Sequence, residues 1–294
     1  MIMENKTIKK KRAKTITLSV IGIALVLLIV WIAWGNNALE LNSYSIASNS
    51  LPKEFDGFRI AQVSDLHNAE MGKDNEKLIS MLVDAEPDII VITGDMIDSR
   101  NTKVDVALNF AEQAVKIAPC YYVTGNHEAR VDEYSDLKVG LIELGVTVLE
   151  DAKTQIVLSG ESITLVGVDD PSFQTDYLFG DDETVMNSKL DEVISEEDGY
   201  VILLSHRPEL FDTYVENKVD LVFSGHAHGG QFRIPFIGGV VAPNQGVFPK
   251  YDAGIYSAGD TNMVVSRGVG NSIIPFRINN RPEVILIELT MQGE

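Results

Sequence analysis

Cysteine is almost absent from this chain. Cys120 is the only one in 294 residues, so no disulfide can form within the molecule. It heads the apolar run CYYVT and is expected to be a small core side chain, not a reactive thiol. Tryptophan is nearly as scarce, with Trp31 and Trp34 alone. Positive charge is lacking where a nucleic-acid binder would need it. The chain has 24 basic and 43 acidic residues, a net charge of −19. Six of the basic residues (Lys6, Lys9, Lys10, Lys11, Arg12 and Lys14) lie in the first 14 positions beside one acid, Glu4. The other 280 residues carry 18 basic against 42 acidic side chains, a net of −24. Such a body repels phosphate backbones, which excludes DNA or RNA as partners. No internal repeat or low-complexity tract occurs beyond the N-terminal lysines. With 45% hydrophobic and 23% charged residues, the chain is neither disordered, collagen-like nor a coiled coil.

Charge is missing altogether from Thr15 to Ala38. The stretch Ile16–Trp34 is nearly all aliphatic, and about 20 apolar residues suffice to span a bilayer. It is apolar on every side, unlike a surface-lying amphipathic helix. Trp31 and Trp34 stand at its C-terminal end, where an aromatic belt belongs. The positive flank marks the cytoplasmic side, so the N-terminus is expected inside and the body outside. A cleaved secretory signal is the competing reading. The apolar run is longer than such signals carry, and no Ala-x-Ala follows it. Both readings export the body. The expected organisation is a basic cytoplasmic tail over 1–14, a transmembrane anchor over 15–36, a tether and first strand over 37–50 (the strand near Glu40–Ile46), and a folded domain over 51–294.

Within the body, short apolar strands alternate with helical patterns. Strands are expected at Phe58–Val63, Asp88–Thr93, Tyr121–Thr124, Ile163–Val168, Val201–Ser205 and Leu221–Ser224, and late ones at MVVS and VILIEL. Helices are expected at Asn75–Asp84, Val104–Lys116 and Asp136–Leu144, and a hairpin across Ser159–Ser162. This alternation indicates an α/β fold with largely parallel strands. Pro171–Asn187 and Gly229–Gly259 show no clear period, and long irregular loops are usually functional.

Histidine is sparse too, but none is spare. His67, His127, His206, His226 and His228 all lie just past expected strands, in SDLH, GNHE, SHRPE and SGHAH. Asp65, Asp95, Asp98 and Asn126 sit in the same places. Ligands bind beyond the carboxyl ends of strands in α/β folds, and imidazole with carboxylate suits Mn, Fe or Zn. In an extended Asp-x-His or His-x-His, both side chains point to one side. Gly94, Gly125 and Gly225 are expected to let the chain turn sharply beside them.

SDLH, GDMID, GNHE, SH and GHAH, in this order over residues 58–228, resemble the calcineurin-like metallophosphoesterase superfamily. GHAHGGQFRIPFIGG and PKYDAGIYSAGDTNMVVSRGVG are similar to a bacterial membrane-attached or exported branch that includes UDP-diacylglucosamine pyrophosphatases. The resemblance implies a four-layer α-β-β-α sandwich of two mixed sheets and two divalent metal ions. Asp65, His67 and His228 would hold the first; Asn126, His206 and His226 the second; Asp95 would bridge both. His127 would face the phosphate and protonate the leaving group, with Asp98 orienting it and favouring its protonated form. The family's phosphatases continue the Gly-Asp block with Asp-Arg-Gly. Here Asp98-Ser99-Arg100-Asn101 puts the arginine one place later, so Arg100, Arg207 and Arg267 are all candidates for gripping phosphate.

The expected function is hydrolysis of a phosphodiester or pyrophosphate by metal-activated water. A lipid-linked substrate is one expectation, because the apolar loop Phe232–Phe248 offers a surface for acyl chains; those side chains could equally pack beneath the loop. Two alternatives stay open: a soluble or cell-wall phosphodiester substrate, and a metal-stabilised extracellular scaffold without turnover. A metallo-β-lactamase-like site would need His-x-His-x-Asp-His, which is absent. Oligomeric state is not legible.

Overall fold

The computed structural model describes residues 2–174, 181–271 and 273–292, with side chains from residue 11 onward. Helix α1 (Ile2–Asn37) runs through both the basic tail and the apolar span without a break. Its apolar stretch is uncovered by the rest of the chain and long enough to cross a membrane. No slack tether follows. Strand β1 (Glu40–Ser48) starts three residues after α1 ends and lies at the edge of a sheet.

Further strands are β2 (Arg59–Val63), β3 (Ile89–Thr93), β4 (Cys120–Val123), β5 (Thr147–Val148), β6 (Ala152–Leu158) and β7 (Glu161–Gly167). They continue as β8 (Val201–Leu204), β9 (Leu221–Ser224), β10 (Gly254–Ala258), β11 (Thr261–Val265) and β12 (Glu283–Met291). The helices after α1 are α2 (Glu76–Ala85), α3 (Val104–Ala114), α4 (Tyr134–Glu143), α5 (Asp182–Val193) and α6 (Phe211–Glu216).

One six-stranded sheet has the order β1-β12-β2-β3-β4-β5, the other β10-β11-β9-β8-β7-β6. Strands β2 to β5 are parallel, as are β7, β8, β9 and β11; β12 runs antiparallel to β2, β6 to β7 and β10 to β11. Both sheets are therefore mixed. The central strands β3, β8 and β9 are buried on both faces and read as nearly unbroken apolar runs, as parallel strands do. In β3 the two-residue repeat sends Ile90 and Ile92 against α2–α4, while Ile89 and Val91 face the second sheet. Ile163, Leu165, Ile202 and Phe223 meet them from that sheet, and its far side packs on Met186, Leu190, Phe211 and Tyr214 of α5 and α6. Each fully buried side chain of this kind contributes about 1.5–3 kcal/mol. The result is the four-layer α-β-β-α sandwich.

Helix α5 was not expected from the sequence. Its first half falls in the stretch without a clear period, Pro171–Asn187, of which 175–180 lie outside the described residues. Asp181 caps it, accepting the Thr184 N–H, and Asp182 and Glu183 occupy its first turn, where acids suit the helix dipole. Gly229–Gly259 holds two small hairpins, Arg233–Ile234 with Gly238–Gly239 and Val241–Ala242 with Gly246–Val247.

Candidate metal centre

The two sheets bring their carboxyl ends together, and every candidate ligand sits just past one of those ends. Asp65 and His67 follow β2, Asp95 follows β3, and Asn126 follows β4. His206 follows β8, and His226 and His228 follow β9. The first sheet thus supplies four of these residues and the second sheet three.

Asp65, His67, Asp95 and His228 place ligand atoms all within 4.8 Å of one another, and Asp95, His206 and His226 do the same. Asp95 belongs to both groups. His67 Nε2 stands 3.1 Å from His228 Nε2 and 3.5 Å from Asp95 Oδ2; His228 Nε2 is 3.4 Å from Asp65 Oδ1. His206 Nε2 lies 3.2 Å from Asp95 Oδ2 and 3.2 Å from His226 Nδ1. All seven candidate ligands are buried.

Backbone conformation departs from the extended Asp-x-His and His-x-His expected above. Asp65, His67, Asp95, His226 and His228 all have positive φ, between 45° and 64°. The i and i+2 side chains meet because the chain coils left-handed there. Such residues cost roughly 1–3 kcal/mol each and persist at functional sites. Among the three glycines, only Gly94 turns through positive φ (85°). Gly125 and Gly225 serve close approach instead: a Cβ at 125 would collide with Asp95 Oδ1, and one at 225 with Ser64 and Asp65.

Does this donor set fit divalent cations? Two imidazole nitrogens and two carboxylates converge in a buried pocket, and such clustered lone pairs need a cation. Asn126 Oδ1 is buried without a hydrogen-bond partner among the described residues. His206 donates its Nδ1 proton to the Thr93 carbonyl at 2.7 Å, which turns Nε2 toward Asp95, where it would coordinate a cation on giving up its own proton. Burial pushes His67 down to about 3 and holds His226 and His228 well below the usual histidine range, so their rings favour the neutral form that a metal ligand needs. Burial pushes Asp65 up to about 6. Burial opposes charge at His206 and Asp95 too, but each outweighs it for the other: His206 rises to about 10 and Asp95 falls. The residues fit.

His127 is buried beside the cluster, its Nε2 4.0 Å from Asp95 Oδ2 and its ring 4.5 Å from that of His67. The expected partnership with Asp98 takes a different form. Asp98 Oδ1 is 3.6 Å from His127 Nδ1 and instead accepts from Arg100 Nε and the Arg100 N–H, both at 2.9 Å. Nδ1 accepts the Ser99 backbone N–H at 3.0 Å. Burial lowers the His127 pKa despite the nearby acids, contrary to the expectation of a protonated ring.

The candidate phosphate-gripping arginines have carboxylates of their own. Arg207 is buried and clasps Asp170 at 2.5 and 2.8 Å; Arg267 pairs with Glu40 and Glu283; Arg100 pairs with Asp98.

Glu128 was given no role from sequence, although it closes the quoted GNHE. It is fully buried, and its carboxylate accepts the backbone N–H groups of Asp95 (2.9 Å), Gly125 (2.8 Å) and Ile97 (3.3 Å). It ties the Gly-Asp loop to the Gly-Asn loop. Burial pushes its pKa up to about 8. Glu209 and Asn244 were also missed. They face the outer nitrogen of His226 at 3.9 and 3.4 Å.

Residues 58–230 match the calcineurin-like phosphoesterase family. The uncharacterized metallophosphoesterase YkuE of Bacillus subtilis is 30% identical over 259 residues, covering 85% of each chain. Phosphodiesterase YaeI of Escherichia coli is 28% identical, covering 79% of this chain and 82% of its own. A zebrafish (Danio rerio) transmembrane protein with metallophosphoesterase domain is 29% identical, covering 83% of this chain and 56% of its own. The chain belongs to the calcineurin-like phosphoesterase family, as a metal-dependent phosphoester hydrolase whose N-terminal helix suits a membrane anchor.

Proposed function

We propose that the protein is a phosphodiesterase or pyrophosphatase working with two divalent cations on the outer side of a membrane. The observation that carries this is the sharing of Asp95 between two ligand groups. Asp65, His67 and His228 would hold one cation, Asn126, His206 and His226 the other, and Asp95 both. Mn, Fe and Zn all accept this mixed set. When bound, such a pair activates water at neutral pH and neutralises phosphoryl charge. The chain's own residues orient that pair: Thr93 fixes the His206 tautomer, and Glu128 fixes the loops that carry Asp95 and Asn126.

His127 serves as a neutral hydrogen-bond donor in this proposal. With Ser99 N–H donating to Nδ1, the ring's proton sits on Nε2, the nitrogen nearer Asp95. From there it can stabilise charge developing on phosphoryl oxygen. An imidazolium acid would need a proton on Nδ1 as well, facing that same N–H.

The test is hydrolysis of bis-p-nitrophenyl phosphate with added Mn, Fe or Zn. Asp95→Ala should abolish it and release at least one metal equivalent. Full metal occupancy in that variant would defeat the bridging assignment. A lipid-linked substrate is the second reading, favoured by the exposed Ile234, Phe236, Ile237 and Phe248. Turnover of a detergent-dispersed lipid pyrophosphate should exceed that of soluble diesters; equal turnover would remove it.

A further inference from the structure

Beyond the metal centre, the largest unexplained feature of the body is apolar and faces outward. Ile234, Phe236, Ile237, Val247, Phe248 and Phe276 are all exposed, and Phe236 is wholly so. Scattered exposed apolar residues are ordinary, but a contiguous set marks an interaction surface. Continuity here is covalent and physical. The first four lie on the two small hairpins and Phe248 directly follows the second; the hairpins are joined by hydrogen bonds from Val240 N to Phe232 O (2.8 Å) and from Phe248 N to Val240 O (2.9 Å). Phe276 is added by the contact of its ring with Phe232, centroids 5.6 Å apart. Gln231 Nε2 donates to the Phe276 carbonyl at 2.7 Å.

Strain points the same way. Phe236 and Phe248 have φ of 69° and 55°, a left-handed conformation unusual for bulky residues. The fold spends strain to hold Phe236 wholly and Phe248 more than half in water. Something apolar must cover them for that arrangement to be stabilising.

The position of the patch identifies what covers it. Asn36, at the end of α1, forms a reciprocal pair with Arg277: Arg277 N donates to Asn36 Oδ1 at 2.7 Å, and Asn36 Nδ2 donates to Arg277 O at 2.9 Å. Arg277 is the neighbour of Phe276. Four residues further on, the Arg281 guanidinium lies over the Trp34 ring, 5.0 Å from its centre. The apolar patch therefore adjoins the end of the membrane-spanning helix, at the aromatic level where such helices leave the hydrocarbon. A body with a net charge of −24 gains nothing from anionic headgroups, so attachment there must be apolar.

We propose that the two hairpins and the Phe276 segment form a second membrane contact, immersed in the interfacial layer beside the anchor. Asn244, in the turn of the second hairpin, reaches to 3.4 Å from His226 Nε2. Seating the hairpins in the interface would thus hold the metal centre one turn of chain from the lipid headgroups. This contact does not depend on which reaction the centre performs.

The test uses the full chain, one copy per phosphatidylcholine nanodisc containing doxyl-labelled lipid. Phe236→Cys, Val247→Cys and, as control, Val157→Cys are each labelled with an environment-sensitive fluorophore. Val157 is exposed on β6, paired with the first residues of β7 at the end of the sheet opposite the metal centre. Cys120 is buried, with its thiol pushed up to about 12, so only the introduced thiol reacts. Quenching by the doxyl lipid should be roughly threefold or more greater at 236 and 247 than at 157. Quenching at 236 and 247 no greater than at 157 would overturn the proposal, and is the result expected if a second copy of the chain covered the patch. The two positions sit on separate hairpins, so misfolding of one variant, revealed by dye on Cys120, leaves the other to decide.

Discussion

His127 and Gly125 are the residues at which the chemistry turns on single atoms. A neutral Nε2 donor stabilises phosphoryl charge whatever group departs, whereas a general acid matters most when the leaving oxygen is strongly basic. His127→Ala should retain its metal and lose about 10²–10³-fold in kcat, equally on p-nitrophenyl and alkyl diesters. A loss confined to alkyl esters, measured side by side, would restore the imidazolium acid. At Gly125 the added methyl of Gly125→Ala would push against Asp95 Oδ1. Metal content and activity should fall together in that variant, and retention of both would show that the loop can yield. Which residues converge was readable from their spacing past the strands. How the backbone delivers them was not, because the left-handed turns at Asp65, His67, Asp95, His226 and His228 depend on contacts between loops far apart in sequence. Glu128 was unreadable for the same reason: its three partners are main-chain N–H groups, two of them about 30 residues away.

The strands carried the clearest signal at the level of elements. Leu221–Ser224 occurs as expected, and most others differ by a residue or two at the ends. Helix α5 was obscured because its buried positions, Val185, Met186, Lys189 and Leu190, include a lysine whose ammonium is met by Asp151 at 2.7 and 2.9 Å. Just beyond β7, Asp169 accepts the Thr124 hydroxyl at 2.8 Å, and burial pushes its carboxyl up to about 6. The raised value means the fold prefers the protonated acid. Ionisation therefore costs stability, beginning near the ordinary value, growing as pH rises toward 6 and complete above it. Asp169→Asn removes that cost and keeps an acceptor for Thr124. Its Tm should exceed the parent's at pH 8 and match it at pH 4. An equal difference at both pH values would assign the effect to packing instead.

Across the whole molecule, the metal centre is also a joint between the two sheets. Cations that bind only the folded chain add RT ln(1 + [L]/Kd), about 2.7 kcal/mol at a hundredfold excess over Kd. Chelation should lower Tm by several degrees, and restoring Mn, Fe or Zn should recover it. A Tm indifferent to chelator would mean that the sheets hold the ligands in place unaided. The sandwich itself was legible only through family resemblance, since composition and periodicity gave an α/β class without saying which strands are neighbours. The pairing least accessible to any local reading is that of β12, which lies between β1 and β2. Its register joins Glu40 to Glu283 and Ile60 to Ile287. The slot for this strand stays open until every residue of the two sheets that precedes Glu283 has been made. Premature termination after β2 and before β12 would leave a fragment with two bare strand edges, those of β1 and β2, a target for quality-control proteases and not a partial enzyme.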